Sequence, residues 1–426
     1  MEELERTTIA TISRRLIPYL FVLYVVAYLD RVNVGFAQLQ MKDDLGFSDE
    51  VFGLGAGIFF FGYMLFQVPS NLVLERIGAR KLIASIMVIW GTVSVGMMFM
   101  RTVEQFYILR FLLGAAEAGF FPGIILYLTY WFPARHRARA VSLFMLAVPV
   151  SGVVGSPISG EILELEGHHG LAGWHWLFLL EGLPAVILGF LSLKYLTDLP
   201  EHASWLSQEQ KDWLLQRLSD EQQVQGREKA PSPTATFTSL PVWLLSLIYF
   251  CLACSFYGMS FWSPQIVKAL LDPSASDALV GWLNAIPYVG GAVGMLLVGR
   301  SSDRHGERRL HVVVPTLLAA LGLVLSGLTS SNPTLSLGAF TLAALGLWGT
   351  VGPFWAHATA VVRGTGAAAG IALTNSLGNM GGFAGSYLVA WAKSVTTGFA
   401  GGLYLLAAIL VVGAVLMLLP VLKLKE

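Results

Sequence analysis

Charge is what this sequence has least of. Asp, Glu, Lys and Arg make up 13% of its 426 residues, about half the ~25% of an ordinary soluble domain, which excludes a water-covered surface of normal polarity. Net charge is zero, and without a basic surface nothing neutralises a phosphate backbone, so no nucleic-acid partner is expected. Cysteine is nearly absent. Cys251 and Cys254 form a C-x-x-C inside an apolar stretch with no second ligand pair, which reads as packing and not as a redox or zinc site; no metal and no cofactor are expected. The N-terminus, Met-Glu-Glu-Leu-Glu-Arg, lacks the basic segment and small-residue cleavage site of a secretory signal, so the first apolar stretch is expected to stay attached.

What is present is one apolar span after another. Hydrophobic residues reach 55% and mean hydropathy +0.65. About twelve stretches approach the ~20 residues that cross a bilayer: 15–37, 51–74, 80–100, 104–130, 139–161, 174–196, 241–268, 278–299, 309–329, 336–360, 364–390 and 398–422. The expected fold is therefore an all-α membrane protein with twelve transmembrane helices. Basic residues give it a direction. With the N-terminus in the cytoplasm, only Lys42, Arg101, Lys268 and Lys393 fall on the far side and Arg31 and Arg110 within the membrane, out of 27 Lys and Arg; the excess of positive charge inside places both termini in the cytoplasm.

An internal repeat divides the chain. Glu75-Arg76-Ile-Gly78-Ala-Arg80 after the second span aligns without a gap to Asp303-Arg304-His-Gly306-Glu-Arg308 after the eighth, and the same offset carries the first span onto the seventh. The reading is two six-helix halves in the same orientation, 1–196 and 241–426. A cytoplasmic linker, 197–240, joins them. In the linker, Ser207-x-x-Gln210 can cap a helix whose apolar residues Trp213, Leu214, Leu215 and Leu218 suit a membrane surface, and Ala230-Pro-Ser-Pro233 reads as an extended tether. Gly53, Gly55 and Gly57 follow no strand, so they read as contact points between helices and not as a nucleotide loop.

The informative charges are those inside spans. An ionised residue in a bilayer costs from a few to more than ten kcal/mol and persists where it faces a polar path or a partner. In the fourth span Arg110 and Glu117 lie seven residues apart, about 700° and roughly 10.5 Å along a helix, on one stripe facing one cavity. A structural ion pair between helices is the bland alternative. Asp30 and Arg31 in the first span add a second acid and base, and two such sets suit an ion-coupled binding site better than a lock. Their equivalents in the second half are uncharged. That half offers Tyr257, Asn284, Trp348, Trp355, His357, Asn375 and Asn379 instead.

With Tyr28-Leu-Asp30-Arg31-Val-Asn33, Phe66-Gln67-Val-Pro69-Ser70-Asn71, Arg110-x₆-Glu117-Ala-Gly-Phe-Phe-Pro122-Gly, Phe178-Leu-Leu-Glu181-Gly182, Gly352-Pro-Phe-Trp355 and Asn375-Ser-Leu-Gly-Asn379 in view, the chain resembles the major facilitator superfamily. Within it the likeness is to the anion:cation symporter family, in texture nearest to tartrate transporters and phthalate-type permeases. The resemblance implies a proton-coupled importer of a small organic carboxylate working by alternating access between the two halves, in a bacterial inner membrane and as a monomer. It implies that Arg31 and Arg110 flank the substrate carboxylate, that Tyr28, Tyr63, Trp355, Asn375 and Asn379 line the pocket, and that Asp30 and Glu117 bind the coupled protons. Glu75, Arg76, Gly78 and Arg80, with Asp303, Arg304, Gly306 and Arg308, become a gating motif. Substrates in view are a tartrate-like hydroxy-dicarboxylate, an aromatic carboxylate or a sugar acid; partners are that anion, protons and the lipid bilayer. The sequence departs from its relatives at His357-Ala358, where Leu-Pro is common.

Rival readings are an anion exchanger or uniporter without proton coupling, a membrane-embedded enzyme and a non-transporting sensor. An enzyme needs a nucleophile, base and orienter or a metal cluster at one depth, whereas His168, His169 and His175 gather in an outer loop. A sensor needs a larger polar domain than the linker.

Reporter fusions after Lys81, Arg139, Lys229, Arg309 and Arg363 are expected to read cytoplasmic. An external reading at two of these positions breaks the twelve-span map.

Overall fold

The computed structural model describes residues 2–225, 239–362, 367–396 and 398–423. No strand occurs among the described residues. The first half holds α1 (Glu2–Leu45), α2 (Asp49–Ile77), α3 (Ala79–Gly96), α4 (Val103–Glu117), α5 (Phe120–Trp131), α6 (Ala134–Met145), α7 (Ala147–Leu163) and α8 (Gly173–Tyr195). A linker helix, α9 (Gln208–Gln225), leads to α10 (Leu240–Ala269), α11 (Asp277–His305), α12 (Leu310–Leu328), α13 (Pro333–Gly349), α14 (Val351–Val361), α15 (Ala367–Val395) and α16 (Ala400–Met417). Among the described residues eleven stretches are long and apolar enough to cross a membrane, and α15, at 29 residues, is the twelfth by length and place, packed along α2 and α10.

Three spans are each made of two helices, for one reason. Proline lacks an N–H and its ring collides with the carbonyl four residues back. Residue 118, four before Pro122, follows the last residue of α4; Met145, four before Pro149, ends α6; and Gly349, four before Pro353, ends α13. Pro157, Pro184, Pro264, Pro287 and Pro315 lie in unbroken helices, and nothing in the local sequence explains the difference.

One expectation is corrected here. The first helix runs beyond the apolar span 15–37 and begins at Glu2, where Glu2, Glu3 and Glu5 complement its N-terminal dipole and Glu5 Oε1 lies 2.8 Å from His136 Nε2. The linker helix does form behind its Ser207–Gln210 cap, with both reciprocal bonds at 3.2 Å, but its apolar side docks on protein. Leu214 is completely buried, Trp205 just upstream stacks on Trp131 at 5.1 Å, and Glu221 accepts from the backbone N–H of Ala134 at 3.0 Å. The expected tether at Ala230–Pro233 lies outside the described residues.

The halves meet in a symmetric pattern: α7 packs on α11, α2 on α15, and α1 on α10. Advancing each span by six exchanges the first two contacts and returns the third to itself, which is the signature of a pseudo-two-fold between the repeats. The aligned glycines agree, Gly78 at φ +84° and Gly306 at φ +67°, both in the left-handed region that favours glycine.

At the end of the bundle away from the termini the halves are sealed. A Cβ on Gly35 would collide with the Phe261 carbonyl, on Gly281 with that of Ser156, on Gly160 with that of Asp277, and on Gly53 with Ala390. Around these contacts Asp49 binds Lys42 and, across the halves, Lys393, each at 3.0 Å. Asp277 binds Lys268 at 3.2 Å and, across the halves, Gln40 at 3.0 Å. Glu164 accepts from the Ala278 N–H at 3.0 Å. At the opposite end, ion pairs among the described residues stay within one half or join it to the linker: Arg80–Asp198, His136–Glu5, Arg137–Glu221, Arg308–Asp303 and His311–Glu307.

Gly281→Leu is therefore expected to wedge α7 from α11 and open the sealed end. In a Cys251→Ser, Cys254→Ser background, a reporter introduced as Gln40→Cys should react with a water-soluble maleimide several-fold faster in the Gly281→Leu protein; an unchanged rate counts against the seal.

Candidate binding site

Consecutive residues on a helix point about 100° apart, so Asp30 and Arg31 leave α1 on different faces. Arg31, 7% exposed, turns to the middle of the bundle. Its Nη2 is ion-paired with Glu117 Oε1, and its Nη1 donates to the Tyr257 hydroxyl of the other half at 3.1 Å. Its guanidinium carbon lies 5.6, 5.4 and 5.5 Å from the ring centres of Tyr28, Phe59 and Tyr63. An ion pair, a hydroxyl and three aromatic rings together offset the several kcal/mol of desolvation that a buried cation costs.

Arg110 is held differently. It has no exposed surface, and its Nε and Nη2 donate to the carbonyls of Gly55 and Ala56 on α2 at 3.4 and 3.2 Å. Glycines bring the backbones that close: a Cβ on Gly62 would meet the Phe111 carbonyl and one on Gly114 the Phe59 carbonyl. Gly55, expected as a contact point, packs on Phe106 of α4, while Gly53 and Gly57 face α15. Arg110 lies 5.1 Å from the same Phe59 ring that carries Arg31, so the two guanidiniums are neighbours across one aromatic side chain. Its Nη1 is buried without a partner.

The stripe read from the fourth span needs a correction. Glu117 pairs with Arg31 of α1 and not with Arg110, whose bonds go to α2. The two acid-base sets are regrouped as well. Asp30 accepts from Trp90 Nε1 at 2.6 Å, Ser94 Oγ at 2.7 Å and Asn33 Nδ2 at 3.3 Å, which places it against α3 and apart from the Arg31 guanidinium.

The second-half residues form their own group. Trp355 packs edge-on to Tyr249 at 4.9 Å, and Gly378 leaves room for the Tyr249 ring. Asn379 Nδ2 donates to the Asn375 carbonyl at 2.8 Å and to its Oδ1 at 3.1 Å. His357 is 1% exposed, in a helix that runs on to Val361 despite the departure at 357–358. Cys251 and Cys254 are buried and free.

The residues expected to form a gating motif lie at the end that carries the termini. Arg80 pairs with Asp198 at 3.2 Å and Arg308 with Asp303 at 2.6 Å. Arg76 and Arg304 are exposed, and the side chain of Glu75 lies outside the described residues. Burial pushes the Glu307 carboxyl up, but the N–H groups of Leu310 and His311 and the His311 ring hold it below the usual range, so it caps α12 as a carboxylate.

Sequence reasoning named Tyr257 only as a polar residue of the second half. Its role as the Arg31 partner had no local signal, because the two lie 226 positions apart. Phe59, one of many apolar residues in its span, had none either.

The family profile described as "Major Facilitator Superfamily" matches residues 20–386. A protein named "Putative tartrate transporter" from Agrobacterium vitis is 49% identical over 98% of this chain and 95% of its own length. A "Quinolone resistance transporter" from Acinetobacter baumannii is 40% identical over 100% of this chain and 97% of its own. Among solved structures, a bacterial homologue of the human lysosomal transporter Spinster, in an inward-facing and occupied conformation, superposes with a TM-score of 0.76 at 17% identity, covering 94% of this chain and 95% of that one.

Removing one partner of a buried pair leaves the other charge uncompensated, so Glu117→Ala is expected to cost about 3–5 kcal/mol of stability. Adding Arg31→Leu should recover most of it. Thermal unfolding in detergent checks this, and strictly additive losses would show that the two residues do not interact.

Proposed function

The chain belongs to the Major Facilitator Superfamily, and on that premise we propose that it imports a small organic carboxylate together with protons across a bacterial inner membrane. The family and its transporter-named relatives make it a carrier and not an enzyme. The observation that carries the rest is the state of Arg31: a buried guanidinium held by an acid of its own half and by Tyr257 of the other. A guanidinium forks onto a carboxylate with charge and geometry matched, and here Glu117 occupies the place a substrate carboxylate would take.

Coupling follows from that rivalry. While Glu117 is ionised it competes with the substrate for Arg31; once protonated it no longer does, and Arg31 is released to the incoming anion. Arg110, fixed by backbone carbonyls, keeps a second positive charge beside Phe59 without needing an acid. With Asp30 and Glu117 ionised, the four groups Arg31, Arg110, Asp30 and Glu117 sum to zero. One proton per monoanion is electroneutral, and each further proton gains about 2.3 kcal/mol per 100 mV. The rings of Tyr28, Tyr63 and Trp355, with Asn375 and Asn379, supply shape and neutral hydrogen bonds. Tartrate is a hydroxy-dicarboxylate and quinolones are aromatic carboxylic acids, so the names of both relatives support a carboxylate as the common element.

Charge distribution supports the proposed orientation, with both termini and the linker in the cytoplasm. In that orientation the sealed end faces outward. A monomer suffices, since one chain supplies both halves of the site.

The test is uptake of labelled tartrate, phthalate or gluconate in proteoliposomes with and without a pH gradient. Glu117→Gln is expected to abolish gradient-driven accumulation, because no proton leaves it, while retaining exchange of internal for external substrate. If the wild type exchanges but ignores the gradient, the carrier is an exchanger or uniporter; if Glu117→Gln still accumulates substrate with proton movement intact, Glu117 is not the coupling site.

A further inference from the structure

The second half buries a set of neutral polar groups beside Tyr257. Ser260 and Ser263 of α10, Tyr288 of α11 and Trp348 of α13 line a cavity of about 10 Å³, room for one water-sized group. Each of the four is at most 4% exposed. The rest of the wall is apolar, and no charged residue lines it. The cavity adjoins the Arg31 site: Ser260 follows Tyr257, the Arg31 partner, by one turn of α10, about 4.5 Å along the axis toward the sealed end. Gly152 of α7 makes room for the Tyr288 ring across the boundary between the halves.

The Trp348 indole is held from three sides. Its ring lies 4.3 Å from that of Phe256 and 5.7 Å, edge-on, from that of Tyr288, and Gly291 leaves space for it where a Cβ would collide. Its Nε1 is nevertheless buried without a partner. An indole N–H only donates, so the cavity presents one fixed donor. The serine protons are already committed. Ser260 Oγ donates to the Phe256 carbonyl at 2.8 Å; Ser263 Oγ donates to Asn284 Oδ1, and Asn284 Nδ2 donates in turn to Ser156 Oγ of the first half at 3.0 Å. Both serine oxygens are therefore left to act as acceptors. One donor set against hydroxyl acceptors calls for a group that does both, which is a hydroxyl. A carboxylate would find no cation there, and a C–H would leave the indole N–H unpaired.

We propose that this cavity is a hydroxyl subsite: a substrate whose carboxylate takes Arg31 sets a hydroxyl of its chain against Trp348 Nε1 and Ser260 Oγ. The carrier then selects hydroxylated carboxylates, of the tartrate or sugar-acid kind, over unsubstituted and aromatic ones. This rests on the reading of the chain as a carboxylate carrier. Selection follows from exchange with water, which satisfies the same groups. A substrate hydroxyl that displaces water reproduces its bonds, whereas a methylene or a ring carbon does not. The Ser263 wall is tied to the first half through Asn284 and Ser156, so the subsite is complete only while α7 and α11 are packed together.

The experiment measures kcat/KM for uptake into proteoliposomes of tartrate and of succinate, the same four-carbon dicarboxylate without hydroxyls, with gluconate and phthalate as a second pair. The wild type is expected to favour the hydroxylated member of each pair. Trp348→Phe keeps a ring but removes the N–H, and it should cut the preference for tartrate over succinate about five- to tenfold, the worth of one hydrogen bond. A wild type without that preference overturns the subsite, as does a preference that Trp348→Phe leaves unchanged. Uptake of none of the four acids overturns instead the carboxylate reading on which the subsite rests. Should Trp348→Phe fail to fold, Ser260→Ala decides: it removes the acceptor and should lower the same ratio, and an unchanged ratio overturns the proposal.

Discussion

Everything in the middle of this protein depends on how a guanidinium is kept charged in a dry helical bundle. Two solutions lie side by side on the Phe59 ring. Arg110 is held through Nε and Nη2 by carbonyls of a helix brought close by glycine, with its Nη1 left unpartnered. Arg31 is satisfied by Glu117 and Tyr257, one from each half, and such partners can be exchanged. On the proposed reading a fixed charge beside an exchangeable one suits an anion, since the first sets the local field and the second makes the bond that forms and breaks.

The seal at the far end follows from two other choices, small residues and a few cations. Gly35, Gly160 and Gly281 let backbones touch across the halves, which is how helices associate when lipid supplies no hydrophobic drive. Basic residues are scarce on that side. Three of the four placed there from the sequence, Lys42, Lys268 and Lys393, are bound to Asp49 and Asp277. These exceptions to the charge bias thus have a structural use, in ion pairs clustered where α1, α2, α10, α11 and α15 converge.

The halves share topology but not chemistry. Contacts between them obey the pseudo-two-fold, and Gly78 and Gly306 adopt the same unusual backbone, yet every buried charge of the central site is in the first half. The second half contributes Tyr257, a ring cluster around Tyr249 and Trp355, and two asparagines that bond to each other. On the proposed reading, symmetry serves the motion and asymmetry the recognition: a rocking motion needs matching interfaces, whereas one anion needs one set of cations.

Much of this was legible along the chain because it rests on local quantities. Span number follows from apolar length, and the repeat from Glu75–Arg80 against Asp303–Arg308. Arg31, Arg110, Asp30, Glu117 and Glu181 were visible as charges where water is absent. Which charge meets which was not. Spacing placed Glu117 with Arg110, and packing gave it to Arg31; adjacency joined Asp30 to Arg31, and a rotation of about 100° sent them to different helices. Pairing is decided by which helix faces which, and that is fixed by glycine contacts such as Gly62 with Phe111 and Gly114 with Phe59, between residues whose partners lie far along the chain. The sequence by itself determined the solvent, the span count and the list of buried charges, because each depends on one residue and its near neighbours. The tertiary structure alone decided their partners, because an ion pair is a distance between two backbones.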